Sequence, residues 1–253
     1  MTADLPVWTL TLLVFAGFIA GYIDAIAGGG GMIQTLALLM AGVPPIATLA
    51  TNKVVSMSGT VTAVAKYAHS KTINWYLVSA CLIPCILAAA AGSKLVMYLN
   101  ETIVTWLIIL CIPLALAIMF TRHRQPDNNK ESRLRGRAIA LLSPIAFYDG
   151  LLGPGTGAYM AIAANKGLNM SFLRATGLAK PLNLSTNVGS AIVYIFAGKA
   201  LWIIAIPMAI ASIIGAYLGS HSAITRGDDF IKKVMLIMLC VMLFANIAKL
   251  LTH

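Results

Sequence analysis

The chain has 253 residues, 59% of them apolar and 10% charged, with a mean hydropathy of +0.87. Soluble domains carry roughly 25% charged residues, so a water-soluble enzyme, a disordered chain and a fibrous protein are excluded. The net charge of +10 sits mostly in loops between apolar runs, and no basic stripe carries interleaved aromatics; this is the pattern of a polytopic membrane protein and not of a nucleic-acid binder.

In chain order, residues 5–23 are apolar, with no Lys or Arg before them. They run into Asp24 and a glycine cluster without a small-residue cleavage site, and are read as a retained first span rather than a signal peptide. Apolar runs lie at about 6–27, 46–68, 75–98, 102–121, 138–152, 173–197, 201–223 and 230–250. Two shorter runs, 32–42 and 155–165, each follow a glycine cluster. A helical span needs about 20 apolar residues to cross a ~30 Å core, so the short runs read as half-helices or re-entrant segments. The stretch 122–137 holds six basic and two acidic residues with Pro126 and Asn128-Asn129. It divides the chain into a first transmembrane repeat (1–121), a basic cytoplasmic loop (122–137) and a second repeat (138–253).

The two halves echo one another. Gly21-Tyr22-Ile23-Asp24 followed by Gly28 to Gly31 recurs as Phe147-Tyr148-Asp149-Gly150 followed by Gly153-Pro154-Gly155-Thr156-Gly157. Lys53 matches Lys180, Trp75 matches Trp202, and Gly92-Ser93 matches Gly219-Ser220, all at an offset of 127; the Asp24 and Asp149 offset is 125. Duplication of this kind is common in secondary transporters. With five crossings per half and an inverted second half, thirteen basic residues fall on the inner side and three on the outer; with four crossings and parallel halves the split is ten to six. The inverted arrangement satisfies the positive-inside rule better. The expected fold is thus an all-α polytopic membrane protein. It has two homologous, inverted repeats of about four spans each, plus one Gly-broken half-helix or re-entrant segment per repeat.

Four charges lie within the apolar body away from its ends: Asp24, Lys53, Asp149 and Lys180. An ionised side chain at membrane depth is costly unless it is paired or faces water, and so marks a candidate site. The blander reading is a pair of Asp–Lys or Asp–backbone contacts that pin the broken helices. Thr51, Asn52 and Ser56 surround Lys53, and Asn183 and Asn187 follow Lys180 by three and seven residues, on one helix face. Ammonium, amide and hydroxyl donors suit an anion with several oxygens, although Asn and Ser stripes also glue helices together. The glycine clusters, with Gly29, Gly30, Gly31, Gly155 and the N-cap candidate Thr156, unwind the chain at a depth where open backbone is tolerated only if buried or lining a cavity. They aim helix N-termini at the break; the bland alternative is close helix packing, as at Gly17/Gly21 and Gly215/Gly219.

Other chemistries lack support. The glycine run follows no strand and precedes no Gly-Lys-Ser/Thr, so it is not a nucleotide loop. Cys81, Cys85, Cys111 and Cys240 lie in apolar stretches with no ligand set beside them. No catalytic residues, cofactor or metal site are expected. Trp75 and Trp202 read as interface anchors.

The motifs Gly21 to Gly31, Pro44 to Lys53, Phe147 to Gly157 and Ala179 to Gly189 together resemble the TauE/SafE family, the sulfite exporter or toluene-sulfonate-uptake-permease group, over essentially the whole chain. One departure is Pro181, which follows Lys180 and is expected to kink that helix. The resemblance implies a multi-pass transporter of a bacterial inner membrane that exports sulfite, sulfonates or related organosulfur anions. In the resulting expectation Lys53, Lys180, Asn52, Asn183 and the glycine N–H groups bind the anion. Asp24 and Asp149 neutralise the lysines or carry a coupled proton. The partners are a small anion, the lipid bilayer and protons, with a homo-oligomer left open and no nucleic acid. An anion-selective channel built on the same pocket is the alternative.

Overall fold

The structure is a computed structural model that describes residues 6–100, 103 and 131–251. The described residues form eight α-helices and no strands. Helix α1 (Val7–Ala27) starts after Pro6 and ends at Gly28, whose φ of 75° is left-handed and whose N–H bonds Asp24 O at 2.8 Å. Helix α2 (Gly30–Met40) has only 11 residues. Helix α3 (Pro45–His69) opens on a proline at its first position, where the missing N–H costs nothing. In α4 (Trp75–Val96) the Asn74 side chain accepts from Leu77 N at 3.2 Å, capping the helix.

Helix α5 (Glu131–Leu151) begins seven residues ahead of the apolar run at 138, so the last part of the 122–137 stretch is helical. Then come the short α6 (Thr156–Gly167) and α7 (Phe172–Phe196), the latter capped by Ser171. Helix α7 runs on through Pro181. The last two predicted spans form one helix, α8 (Trp202–Leu251), divided by non-helical Gly227 (φ 72°, ψ −158°). Apart from residue 103, the predicted span 102–121, with Cys111, lies outside the described residues, as does most of the central basic loop. Both short runs fold as short helices, which is what their length requires.

By length and apolarity, three of the described helices can cross a membrane: Val7–Ala27, Trp75–Val96 and the Trp202–Val241 part of α8. Helices α3 and α7 have 25 residues each, long enough to span, but their middles are polar and buried. Their polar groups therefore face protein, not lipid. Large apolar side chains such as Phe15, Ile83, Leu87 and Ile210 are exposed instead, as expected where the surrounding solvent is hydrocarbon.

Helix α1 packs chiefly on α8, and α5 on α4; α3 also packs on α8, and α7 on α4. The first contact is tight because it is built on glycines. A Cβ on Gly21 would lie 2.8 Å from Ser212 Cα, and one on Gly219 3.0 Å from Tyr22 Cα. Small residues that let backbones meet are the usual means of helix association in lipid. Gly92 against Leu151 N and Gly150 against Ala89 Cα, each at 2.8 Å from a built Cβ, do the same for α4 and α5.

The two ends of the bundle are also defined. At one, the α3–α4 loop, the start of α5 and the α6–α7 loop line a common cleft, and Leu173 N bonds Asp228 Oδ1 at 2.8 Å. At the other, Ile46, Met97, Leu99 and Ala200 pack around a buried cluster that includes Val96 and Tyr194. Helices α3 and α7 thus run in opposite directions between the same two ends.

Candidate functional site

The two glycine breaks meet at the centre of the bundle. Ala158 N bonds Gly28 O at 3.4 Å, and a Cβ on Gly157 would come within 2.5 Å of Gly28 Cα. Gly28 and Gly153 both take left-handed φ, 75° and 87°. Only residues without a Cβ let two chains cross this closely, and Gly28 also needs the conformation glycine adopts at no cost.

Around this crossing stand the four charges. Lys53 Nζ lies 2.8 Å from Asp149 Oδ1, with side-chain exposures of 3% and 2%. Lys180 Nζ lies 3.4 Å from Asp24 Oδ2 and also donates to the Asp24 backbone carbonyl; these side chains are 1% and 15% exposed. Each lysine reaches across to the aspartate of the opposite half. Two buried ammonium groups and two carboxylates sum to zero, which removes the cost of an uncompensated charge. Lys53 also donates to Asn187 Oδ1 at 3.3 Å.

A small cavity lies among these groups, lined by Asp24, Asn52, Lys53, Ser56, Asp149, Asn183 and Asn187 with Gly28, Gly31, Gly153 and Gly157. Its free space of about 10 Å³ admits roughly one water molecule. Asp149 Oδ2 and Asn187 Nδ2 are buried with no hydrogen-bond partner. An orphaned acceptor and an orphaned donor beside an ammonium group are what a polar guest would satisfy.

Of the residues expected from sequence, Asp24, Gly31, Asn52, Lys53, Ser56, Asp149, Asn183 and Asn187 line the cavity. Lys180 sits behind Asp24, held by it. Five others serve the framework. Thr51 Oγ1 accepts from Leu201 N at 3.1 Å, towards the α7–α8 loop. Thr156 Oγ1 donates to Gly153 O at 2.8 Å and shapes the second break. Gly155, in the left-handed region, precedes α6. Gly29 faces the Met238 side chain, and Gly30 lies against the Ala20 carbonyl of α1.

Sequence reasoning undervalued two neighbours. Gln34 Oε1 accepts from Ser56 Oγ at 3.3 Å, and Thr35 Oγ1 accepts from Asn52 Nδ2 at 3.3 Å. Both residues are buried. Their signal was visible: a polar Gln34-Thr35 pair inside an otherwise apolar 11-residue run. Gly28, Gly153 and Gly157 were within the glycine clusters but were not singled out.

The chain is similar to proteins described as probable membrane transporters. One from Haemophilus influenzae is 34% identical over 242 residues, 93% of each chain. One from a Sinorhizobium species, ORF9, is 35% identical over 240 residues, covering 92% of this chain and 90% of the relative. YfcA of Escherichia coli K12 is 29% identical over 238 residues, covering 92% and 87%. No solved structure matches the chain. Residues 13–245 match the family model described as sulfite exporter TauE/SafE, a span that includes both glycine breaks, both lysines and both aspartates, and on that match the chain belongs to the TauE/SafE family of membrane transporters.

Proposed function

We propose that the chain is a secondary carrier of small sulfur oxyanions or organosulfonates, working by alternating access and exporting its cargo. The observation that carries this reading is the crossed pairing of Lys53 with Asp149 and Lys180 with Asp24 around the crossing of the two breaks. The lysines attract the anionic group. Asn52, Asn183, Asn187, Ser56 and the backbone beside the glycines supply hydrogen bonds to its oxygens. Asp24 and Asp149 balance the lysines in the empty state, and one of them takes a proton when the anion enters.

Two inverted repeats are part of this reading. Lys53 and Lys180, and Tyr67 and Tyr194, stand at matching positions of α3 and α7, and those helices run in opposite directions. Gly92 meets the Phe147 carbonyl as Gly219 meets the Tyr22 carbonyl. The site then lies where the repeats meet, as in many carriers. The positive-inside rule puts the end carrying Lys71, Arg174 and Arg226 in the cytoplasm of a bacterial inner membrane.

The small size of the cavity favours a carrier over a channel. Space for about one water beside paired charges suits a state that must rearrange to load its cargo, whereas a selective pore needs a continuous hydrated path. Thermal shift of the purified protein against sulfite, thiosulfate, sulfoacetate, an alkanesulfonate and matched carboxylates tests the reading. Stabilisation by a sulfur oxyanion that disappears in Lys53→Gln and in Lys180→Gln is expected. No sulfur anion stabilising the wild type, or unchanged binding in both variants, would overturn the anion site; resolvable single-channel steps in planar bilayers would overturn the carrier.

A further inference from the structure

The bundle has a second, larger concavity away from the crossed charges. It is a cleft of about 730 Å³ at the end of the bundle, between the α3–α4 loop, the start of α5 and the α6–α7 loop. That size falls in the range of small-molecule sites. Among the described residues its walls carry two cations, Lys71 and Arg174, and no acidic side chain. Thr72, Asn74, Asn169 and Ser171 add polar groups, while Ile73, Leu77, Leu134, Leu168 and Met170 form an apolar part. Asp228, whose Oδ1 accepts from Leu173 N at 2.8 Å, does not line the cleft.

The loops and helix ends around the cleft shape it further. Lys71 and Asn169 are the non-glycine residues with left-handed φ among the described residues, both at 55°, and both line this cleft. At both positions this conformation closes a helix: Lys71 N bonds Ala68 O and Thr72 N bonds Tyr67 O behind α3, and Asn169 follows Leu168, whose N bonds Ala164 O behind α6. Helices α4 and α7 both begin at the cleft, behind Asn74 and Ser171, so two positive helix ends add to the two cations. Trp75, 54% exposed, stands on the rim, where an aromatic belt meets headgroups. Arg135 covers the neighbouring Tyr76 ring at 4.4 Å.

We propose that this cleft is a separate binding site for a tetrahedral oxyanion of the phosphate class, held by Lys71 and Arg174. The same chemistry is offered by the phosphodiester of an anionic lipid headgroup and by free phosphate or sulfate. The cleft shares no lining residue with the central cavity, so occupancy here does not depend on the transport reading.

The test uses the full chain in a neutral detergent, with two arms. In the first, inorganic phosphate and sulfate are titrated and thermal stability is followed. In the second, the protein is placed in nanodiscs of phosphatidylcholine with or without phosphatidylglycerol. The variant is Lys71→Asn with Arg174→Gln; asparagine tolerates the left-handed conformation at position 71, and both parent side chains are exposed. Lys71→Asn alone serves if the double variant does not fold. Stabilisation of the wild type by the free anions, weakened at least tenfold in half-saturation by the variant, assigns a soluble oxyanion. Stabilisation only by phosphatidylglycerol, lost in the variant, assigns a headgroup. No response in either arm, or an equal response of variant and wild type, overturns the site. Retained alkanesulfonate binding by the Lys71/Arg174 variant separates this result from any failure at Lys53 and Lys180.

Discussion

Lys53 Nζ and Asp149 Oδ1 lie 2.8 Å apart, one on α3 and the other on α5, both almost wholly shielded. Removing one member of a buried pair leaves a charge without compensation and costs about 3–5 kcal/mol, whereas replacing both is often near neutral. Lys53→Gln and Asp149→Asn are therefore each expected to lower stability by about 3 kcal/mol. The double variant should recover most of that loss. Thermal or denaturant unfolding in one detergent, read as a double-mutant cycle, checks it; additive losses would show that the pair does not couple.

The second pair differs in a way that predicts an asymmetry. Lys180 holds the Asp24 backbone carbonyl as well as its carboxylate, and the carboxylate contact is the longer one, 3.4 Å. Asp24→Asn leaves the backbone acceptor in place and keeps a side-chain oxygen that accepts. Lys180 still loses its counter-charge, but the retained backbone acceptor and the 15% exposure of Asp24 should make the loss smaller than that of Asp149→Asn. Equal losses for the two substitutions, measured under the same conditions, would contradict this difference between the pairs.

The glycine crossing gives a test with an internal control. Gly157 cannot accept a methyl group without displacing Gly28 Cα, 2.5 Å from the built Cβ, and Gly28 is itself left-handed. Gly157→Ala is expected to abolish transport and to lower stability by at least about 2 kcal/mol, as overpacking of a tight core does. Gly42 is also left-handed (φ 79°) but has nothing within 4 Å. Gly42→Ala should then cost only the conformational strain, about 1 kcal/mol, with transport retained. Melting temperature and proteoliposome flux on both variants decide the point.

Much of this arrangement was legible in the sequence because hydrocarbon makes polar residues conspicuous. Asp24, Lys53, Asp149 and Lys180 stood out as charges within apolar runs, and the structure gathers all four at the centre. The short helices α2 and α6 followed from run length alone. The crossed partnership did not follow, because sequence spacing speaks of neighbours on one helix and these pairs join residues 96 and 156 positions apart. The same limit hid the framework roles of Thr51 and Thr156, whose hydroxyls resemble ligands until their backbone partners are known. The start of α5 at Glu131 escaped the apolar-run criterion because its first turns are charged.

Charge balance at the centre predicts how cargo affinity varies with pH. In the proposed carrier two ammonium groups and two carboxylates cancel in the empty site, so one bound anion would leave a net negative charge that a proton on a carboxylate would cancel. In this proposal that proton goes to Asp24 on geometry: the residue lines the cavity, is 15% exposed, and is held by Lys180 less closely than Asp149 is held by Lys53. Binding that takes up a proton must strengthen as pH falls, tenfold per pH unit where a full proton is absorbed. An alkanesulfonate is the suitable probe because its own charge does not change between mildly acid and mildly alkaline conditions. Calorimetry in buffers of different ionisation enthalpy should find about one proton absorbed per anion in the wild type. In Asp24→Asn it should find none, with affinity independent of pH. A wild-type affinity that is flat in pH, with no proton absorbed, would remove proton coupling and leave the anion site standing on Lys53 and Lys180 alone.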